Sequence, residues 1–298
     1  MTPAQDPSLL TIRDLLVAAG QRLANGSDSA RLDAEVLLAA VLNRSRSYLH
    51  AWPERTLEPE LAACFAAWLE RRRNGEPIAY LLGRREFWSL ELEVTPDTLI
   101  PRPETELLVE LALDRLPADQ PVTIADLGTG SGAIALALAT ERPQARIVAT
   151  DQSLAALAVA RRNAQRLNLV TIEFRQGDWC VPLAGERFDL IAANPPYVAV
   201  ADPRWRRSEL RFEPSDALIS GPGGLDALRT IIAQAPDHLK PGGWLVLEHG
   251  YDQGEAVPAL LRERGFDEVT DHQDAAGVSR SSSGHWPLFP NQPGCLPA

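Results

Sequence analysis

Through the first 85 residues the apolar positions fall at helical spacing. Ile12, Leu15, Leu16, Ala19 and Leu23 keep the i, i+3, i+4, i+7 period that lays one apolar stripe along a helix. Leu32, Val36, Leu37 and Val41 repeat it as far as Asn43, with Ser27 or Ser29 placed to cap the start. A third helix is predicted from about Glu58, with Leu61, Phe65, Trp68 and Leu69 on one face and Glu70-Arg71-Arg72-Arg73 after them. The period then shortens to two. Phe87, Leu90, Leu92 and Val94 alternate with more polar residues into Thr95-Pro96-Asp97, which reads as a hairpin over 84–94.

From Val122 onward short apolar runs alternate with helical stretches, the pattern of a parallel sheet with helices on both faces. Strands are predicted over 123–127, 145–150, 171–175, 188–193, 244–248 and 266–270. Helices are predicted through Leu107, Leu108 and Leu111, then over 133–140, 154–167, 225–239 and 255–264, with Lys240-Pro241-Gly242-Gly243 as a turn. A closing strand would make seven. The stretch available for it, 279–284, is Ser-rich with little β propensity, which weighs against firm packing there. The last twelve residues, 287–298, carry four prolines and read as a disordered tail.

Length and composition narrow the class. The 298 residues suffice for two domains or one large one, and 45% apolar with 23% charged residues is the balance of a soluble globular protein. No apolar run reaches the roughly 18–20 residues of a membrane span, and no basic-then-apolar leader opens the chain. Cys64, Cys180 and Cys295 are odd in number and far apart, and the five His are scattered. Neither a disulfide framework nor a metal site is expected, and the setting expected is a reduced cytoplasm.

The net charge is −11, and Lys240 is the sole lysine. Such a chain is a poor non-specific nucleic-acid binder. The first 85 residues, with 11 Arg against 10 Asp plus Glu, are near neutral. Two Arg-rich places stand out: Arg71 to Arg73, and Arg204, Arg206, Arg207 and Arg211 around Trp205. Each reads either as a solvated helix end or loop, or as a contact for a partner.

The chemistry gathers at successive strand ends. After 123–127 comes Gly128-Thr129-Gly130-Ser131-Gly132, where backbone can approach a ligand closely at a helix N-terminus. The Gly-Lys-Ser/Thr of a nucleoside triphosphate loop is missing. The next strand ends in Asp151, about twenty residues on, where a carboxylate can accept both hydroxyls of a ribose or cap the following helix, as Ser153 also could. The third ends in Asp178-Trp179: an acceptor for an exocyclic amine and a ring for a purine, or a core tryptophan. The fourth stops on Asn194-Pro195-Pro196-Tyr197. Proline holds the residue before it extended and offers no N–H, so carbonyls there remain free to accept. With the Asn194 side chain and the Tyr197 ring, the segment can take both hydrogens of a planar NH2 and cover its plane. A delocalised amide or aromatic amine nitrogen needs that help to accept a methyl group. The plain alternative is a rigid strand-to-loop turn. The order of the four ends is that of an S-adenosylmethionine methyltransferase.

Nearly end to end, the chain resembles the HemK/PrmC family, the N5-glutamine methyltransferases of class 1 peptide chain release factors. The residues that carry the likeness include Pro77-x-x-Tyr80-x-x-Gly83-x-x-Glu86-Phe87, Ile100-Pro-Arg-Pro-Glu-Thr-Glu106, the Gly-rich loop, Asp151, Asp178-Trp179 and Asn194-Pro195-Pro196-Tyr197. Glu213-Pro214-x-x-Ala217-Leu218 and Gly223-Gly224-Leu225 extend it, and Asp274-x-Ala276-Gly277 and Arg280 mark its frayed end. The resemblance implies a Rossmann-like seven-stranded class I methyltransferase domain (α/β) behind a small helical bundle. It implies that Gly128, Thr129, Gly130, Ser131, Gly132, Asp151, Trp179 and Asn194 contact S-adenosylmethionine. It also implies that Asn194, Pro195, Pro196 and Tyr197 hold the glutamine of the release factor's Gly-Gly-Gln loop.

The expected plan is a helical substrate-recognition domain over 1–85, a hairpin and linker over 86–106 that could roof the site, and the methyltransferase domain over 107–286. A monomer that modifies a protein, touching neither nucleic acid nor membrane, is the partner expectation. Rival readings are a methyltransferase of adenine N6, cytosine N4 or guanine N2 amines, a non-catalytic S-adenosylmethionine-binding adaptor, and, more distantly, a dinucleotide oxidoreductase.

Overall fold

The computed structural model describes residues 10–203, 206 and 209–288. They fall into two compact units, one built from the residues up to Gly83 with 209–212, the other from 84–206 with 213 onward.

The first unit is helical: α1 (Ile12–Leu23), α2 (Ala30–Val41), α3 (Arg46–Ala51), α4 (Pro59–Arg73) and α5 (Ile78–Leu82). The three helices with clean apolar stripes pool Ile12, Leu23, Leu37, Leu38, Phe65 and Leu69 in one core. The short α3 and α5 were not foreseen, because six and five residues are too few to display a period. Thr11 starts α1 with a reciprocal cap to Asp14. At α2 the expected serine cap is not made. Ser29 stands at the N-cap, but its hydroxyl and that of Ser27 donate to the Asp33 carboxylate at 2.8 and 2.7 Å.

That charge belongs to an ion pair. Arg72, the middle of the arginine run, is neither solvated nor free for a partner: its side chain is 5% exposed and sits 2.7 Å from Asp33, with Glu209 as a second partner. Arg71 and Arg73 pair with Glu76 and Glu70 at the surface. Arg211 donates to the Asn74 carbonyl and lies over the Phe212 ring. Arg204, Trp205 and Arg207 lie outside the described residues, as does the expected tail beyond Leu288.

In the second unit the hairpin of β1 (Arg84–Phe87) and β2 (Leu90–Glu93) precedes α6 (Glu106–Arg115). Then β3 (Thr123–Leu127), α7 (Ala133–Glu141), β4 (Arg146–Asp151), α8 (Leu154–Arg166), β5 (Glu173–Gln176) and β6 (Phe188–Ala193) alternate. They are followed by α9 (Asp226–His238), β7 (Leu239–Glu248), α10 (Ala256–Arg264), β8 (Asp267–Gln273) and β9 (Ser279–His285). The seven-stranded sheet runs β5-β4-β3-β6-β7-β9-β8, parallel through β7 and antiparallel at β9 and β8. Alternate strand residues feed two cores. Ile124, Leu190 and Val246 pack with α6 and α7, while Ala125, Ile191 and Leu245 pack with α9 and α10.

Two expectations give way here. Lys240-Pro241-Gly242-Gly243 is not a turn but the start of β7, whose pairing to β6 shifts register between Phe188 and Leu190. The Ser-rich segment is a fully fledged strand inserted between β7 and β8, with Ser281, Ser282 and Ser283 at 0% exposure. Propensity misleads because two of these three hydroxyls have partners inside the fold, Ser281 Oγ being left without one. Ser282 Oγ lies 2.8 Å from His249 Nε2, and Ser283 Oγ 2.9 Å from both His272 Nε2 and Arg115 Nη2. Gly284 is needed for closeness, since a Cβ there would come 3.0 Å from Phe266. Among the described residues no helix is long and apolar enough to cross a membrane.

Removing one partner of a buried ion pair strands the other. Arg72→Ala is expected to cost the whole protein about 3 kcal/mol in chemical denaturation, whereas Arg73→Ala changes stability by less than about 0.5 kcal/mol.

Candidate active site

The carboxyl ends of β3, β4, β5 and β6 surround a cavity of about 440 Å³, the location where open α/β sheets hold ligands. Its floor is the glycine turn. Gly128 and Thr129 both donate to the Thr150 carbonyl at 2.9 Å, tying the turn to the end of β4. Gly128, Gly130 and Gly132 have φ of 71°, 56° and 88°, a region that L side chains rarely adopt. Their roles differ. A Cβ on Gly130 would meet nothing within 4 Å, so the bare backbone there faces open space in the cavity wall. A Cβ on Gly132 would press on Leu136 and Ala160, and this glycine packs the start of α7 rather than lining the cavity.

Asp151 closes the wall beside it. Its Oδ2 accepts from Gly130 N at 2.9 Å and its Oδ1 from Ser153 N at 2.8 Å, so both oxygens are fixed in direction with lone pairs to spare. Burial raises its pKa against the pull of those two bonds. The helix cap that Asp151 could have supplied comes instead from Ser153, whose hydroxyl accepts from Ala156 N. Asp178 and Trp179 line the cavity as well. The Trp179 ring lies against the turn, 3.2 Å from where a Gly128 Cβ would be.

Of the Asn-Pro-Pro-Tyr segment, Asn194 and Pro196 line the cavity, while Pro195 and Tyr197 do not. Asn194 Nδ2 donates to Thr105 Oγ1 at 3.1 Å. Tyr197 turns its hydroxyl to Glu248 Oε1 at 3.3 Å, and its carbonyl accepts from Gln253 Nε2 at 3.2 Å. A Cβ on Gly224 would fall 2.2 Å from that carbonyl, so the Gly223-Gly224 loop lies directly on the segment. The linker before α6 forms the opposite wall through Pro101 and Thr105. Glu213 anchors it, accepting from Ile100 N at 2.9 Å and pairing with Arg102. No Lys, Arg or His is among the described residues that line the cavity, whereas Asp97, Asp151, Asp178 and Asp216 are. Such a lining disfavours polyphosphates and suits a cationic ligand.

Two family models match the chain: the PrmC N-terminal domain over residues 14–83 and the methyltransferase small domain over 104–206. The release factor glutamine methyltransferase of Pseudomonas aeruginosa is 54% identical over 87% of this chain and 94% of its own length. That of Xylella fastidiosa is 52% identical over 92% of this chain and 98% of its own. The chain belongs to the release factor glutamine methyltransferase family. Among solved structures, the T. thermophilus 16S rRNA N2 G1207 methyltransferase in complex with AdoMet and guanosine superposes with a TM-score of 0.51 at 21% identity. It covers 68% of this chain and 49% of that one, and the likeness shows a shared class I methyltransferase fold.

Strand-end reasoning passes over two residues here: Thr105, which lines the cavity, and Glu248, which accepts from the Tyr197 hydroxyl. Thr105 sits in the Ile-Pro-Arg-Pro-Glu-Thr-Glu motif, but nothing in its spacing tells that its hydroxyl meets Asn194. Glu248 ends β7 as Asp151 ends β4, a signal of the same kind that was legible.

Two carboxyls here are buried away from ordinary titration. Burial pushes Asp126, beneath the glycine turn, up to about 7, although Thr129 Oγ1 and Ala135 N donate to it. Burial likewise pushes Glu248 up to about 7. Between about pH 4 and 7 the folded chain therefore holds protons that the unfolded chain has released, so this contribution to stability is full at the acid end and lost as pH rises through 7. Asp126→Asn is expected to flatten the fall in unfolding free energy between pH 5 and 8, by an amount on the order of a few kcal/mol, in chemical denaturation followed across pH.

Proposed function

We propose that this chain transfers a methyl group from S-adenosylmethionine to the side-chain amide nitrogen of the glutamine in the Gly-Gly-Gln motif of class 1 peptide chain release factors. The observation that carries the reading is that Asn194 and the Gly128–Asp151 wall share one cavity.

The residues present fit the cofactor. The open backbone at Gly130, the fixed acceptors of Asp151, the carboxylate of Asp178 and the ring of Trp179 supply room, ribose contacts, an amine contact and a purine face. When bound, S-adenosylmethionine supplies an electrophilic methyl carbon on a sulfonium. The acidic, base-free lining favours that positive charge.

Everything else falls to the chain's own groups. With its Nδ2 committed to Thr105, the Asn194 side chain offers Oδ1 to one hydrogen of the glutamine amide. The Pro195 carbonyl takes the other, and the ring of Tyr197 covers the amide plane. An amide nitrogen has a delocalised lone pair, so fixed acceptors at both hydrogens aim it and stabilise the positive charge that grows there. Once methylated, the nitrogen is acidic and gives its proton to water, so no strong base is called for. The N-terminal helical unit recognises the release factor.

The test is transfer of labelled methyl from S-adenosylmethionine, offered purified release factor, RNA or DNA in parallel. Label is expected on the release factor and lost when its glutamine is replaced; label on RNA or DNA instead overturns the reading. Asn194→Ala is expected to lower single-turnover transfer at least about 100-fold, while cofactor affinity measured by calorimetry changes less than about tenfold.

A further inference from the structure

The stretch that leaves β6 is stiff by its own chemistry. Pro195 and Pro196 have a fixed φ and no N–H, so a shift at Tyr197 is carried back along the chain to the Pro195 carbonyl and Asn194. Whatever decides where Tyr197 stands is therefore part of the machinery, although Tyr197 itself lies outside the cavity lining. Past it the chain is tied down, with Val198 N donating to the Leu218 carbonyl at 2.8 Å and Ser220 N to the Val198 carbonyl at 2.9 Å. The Tyr197 carbonyl is held by a side chain from 56 residues downstream, that of Gln253.

Gln253 is 7% exposed and stands between β7 and α10. Its Oε1 accepts from Gly250 N at 2.9 Å, which turns the NH2 end the other way. That end has two hydrogens and meets three carbonyls, those of Tyr197 and Gly224 at 3.2 Å and of Gly223 at 3.5 Å. The turn that carries the side chain is closed by Gln253 N donating to the Gly250 carbonyl at 2.9 Å, and Val257 N of α10 donates to the Gln253 carbonyl at 3.0 Å. Bare α-carbons flank the amide at both ends. A Cβ on Gly250 would come 3.3 Å from Gln253 Oε1. One on Gly224, whose φ is 73°, would fall 2.2 Å from the Tyr197 carbonyl oxygen and 2.9 Å from Gln253 Nε2. The segments 194–197, 223–224 and 250–253 thus close on one carboxamide.

We propose that Gln253 is a positioning residue for the methyl transfer: it clasps the Tyr197 carbonyl to the Gly223-Gly224 loop and so sets where the Pro195 carbonyl and the Tyr197 ring stand when the substrate amide arrives. Gln253 is not among the residues that line the cavity, and it acts through the segment it holds. The assignment rests on the amide-clamp reading above and adds to it the group that secures the clamp's far end. The task calls for a side chain that gives two hydrogens at one end and accepts one at the other. Glutamate has no hydrogen for the carbonyls and sets a charge against their oxygens, and methionine fills the space while bonding to neither side. Catalysis by orientation is sensitive to the slack that follows, a misplacement of about 1 Å costing on the order of 100-fold.

The experiment compares wild type, Gln253→Met, Gln253→Glu, Gly224→Ala and Asn194→Ala, with the double variants Gln253→Met/Gly224→Ala and Asn194→Ala/Gln253→Met. The readouts are single-turnover methyl transfer at saturating release factor, KM for the release factor, and cofactor Kd by calorimetry. Gln253→Met is expected to slow transfer about 10- to 30-fold at saturation, with cofactor Kd within about threefold of wild type. Gln253→Glu should lose more, about 100-fold. Gly224→Ala pushes on the same carbonyl from the other side and should lose about as much as Gln253→Met, with the double variant little worse than either. In the Asn194→Ala background the further loss from Gln253→Met should shrink to less than about threefold, because no clamp is left to aim. Wild-type transfer in Gln253→Met, which keeps the volume of the side chain, overturns the proposal. So does a loss confined to KM or to cofactor affinity, and so does a full-sized further loss in the Asn194→Ala background, which marks a role in packing alone. Should Gln253→Glu fail to fold, Gln253→Met and Gly224→Ala decide between them. Normal turnover in Asn194→Ala is a different failure, that of the clamp reading itself.

Discussion

Pairing of β3 with β6 sets Leu127 opposite Ala193, and the next residue on each strand is the first of its loop. Gly128 and Asn194 therefore leave the sheet side by side. The chain winds outward from β3 to β4 and β5, then crosses back to lie on the other side of β3 as β6. A crevice opens where those two directions part. Because side chains alternate across a strand, a slip of one residue in this pairing would bury the wrong set and turn Asn194 to the opposite face. The apolar runs Ile124-Ala125 and Leu190-Ile191-Ala192 divide residue by residue between the cores on the two faces.

Long apolar runs and glycine spacing were what made the fold and the cavity floor readable in advance. Four strand ends were identified from residue type alone, and the structure gathers residues from all four around one cavity. What stayed hidden was of three kinds. Elements as short as α3 and α5 carry too few residues to show a period. Relationships across long separations left no trace: Asn194 with Thr105, 89 positions away, or Glu213 with Ile100. And a rule about composition failed where its premise did, because Ser282 and Ser283 of β9 meet His249, His272 and Arg115 in the interior rather than water. Tyr197 belongs with the second kind. Its ring was legible as an aromatic, but its hydroxyl is directed by an acid 51 residues downstream.

Electrostatics divides the molecule by task. The buried pair Arg72–Asp33 and the surface pairs around α4 use arginine as a structural fastener in the helical unit. In the catalytic unit the cavity is given over to aspartates and backbone. A chain that carries −11 overall thus concentrates the same sign in the cavity wall.

The antiparallel insertion of β9 bears on how the chain is made. Strand β8 has only β9 for a neighbour, and β9 is what joins it to the rest of the sheet. On a ribosome, the strands that frame the crevice emerge, and β8 after them, before the strand that pairs with β8 is made. The sheet is complete only after residues 279–285 have left the exit tunnel and threaded into the gap. Vectorial synthesis therefore finishes the crevice side of this protein first and the seam beside Glu248 last.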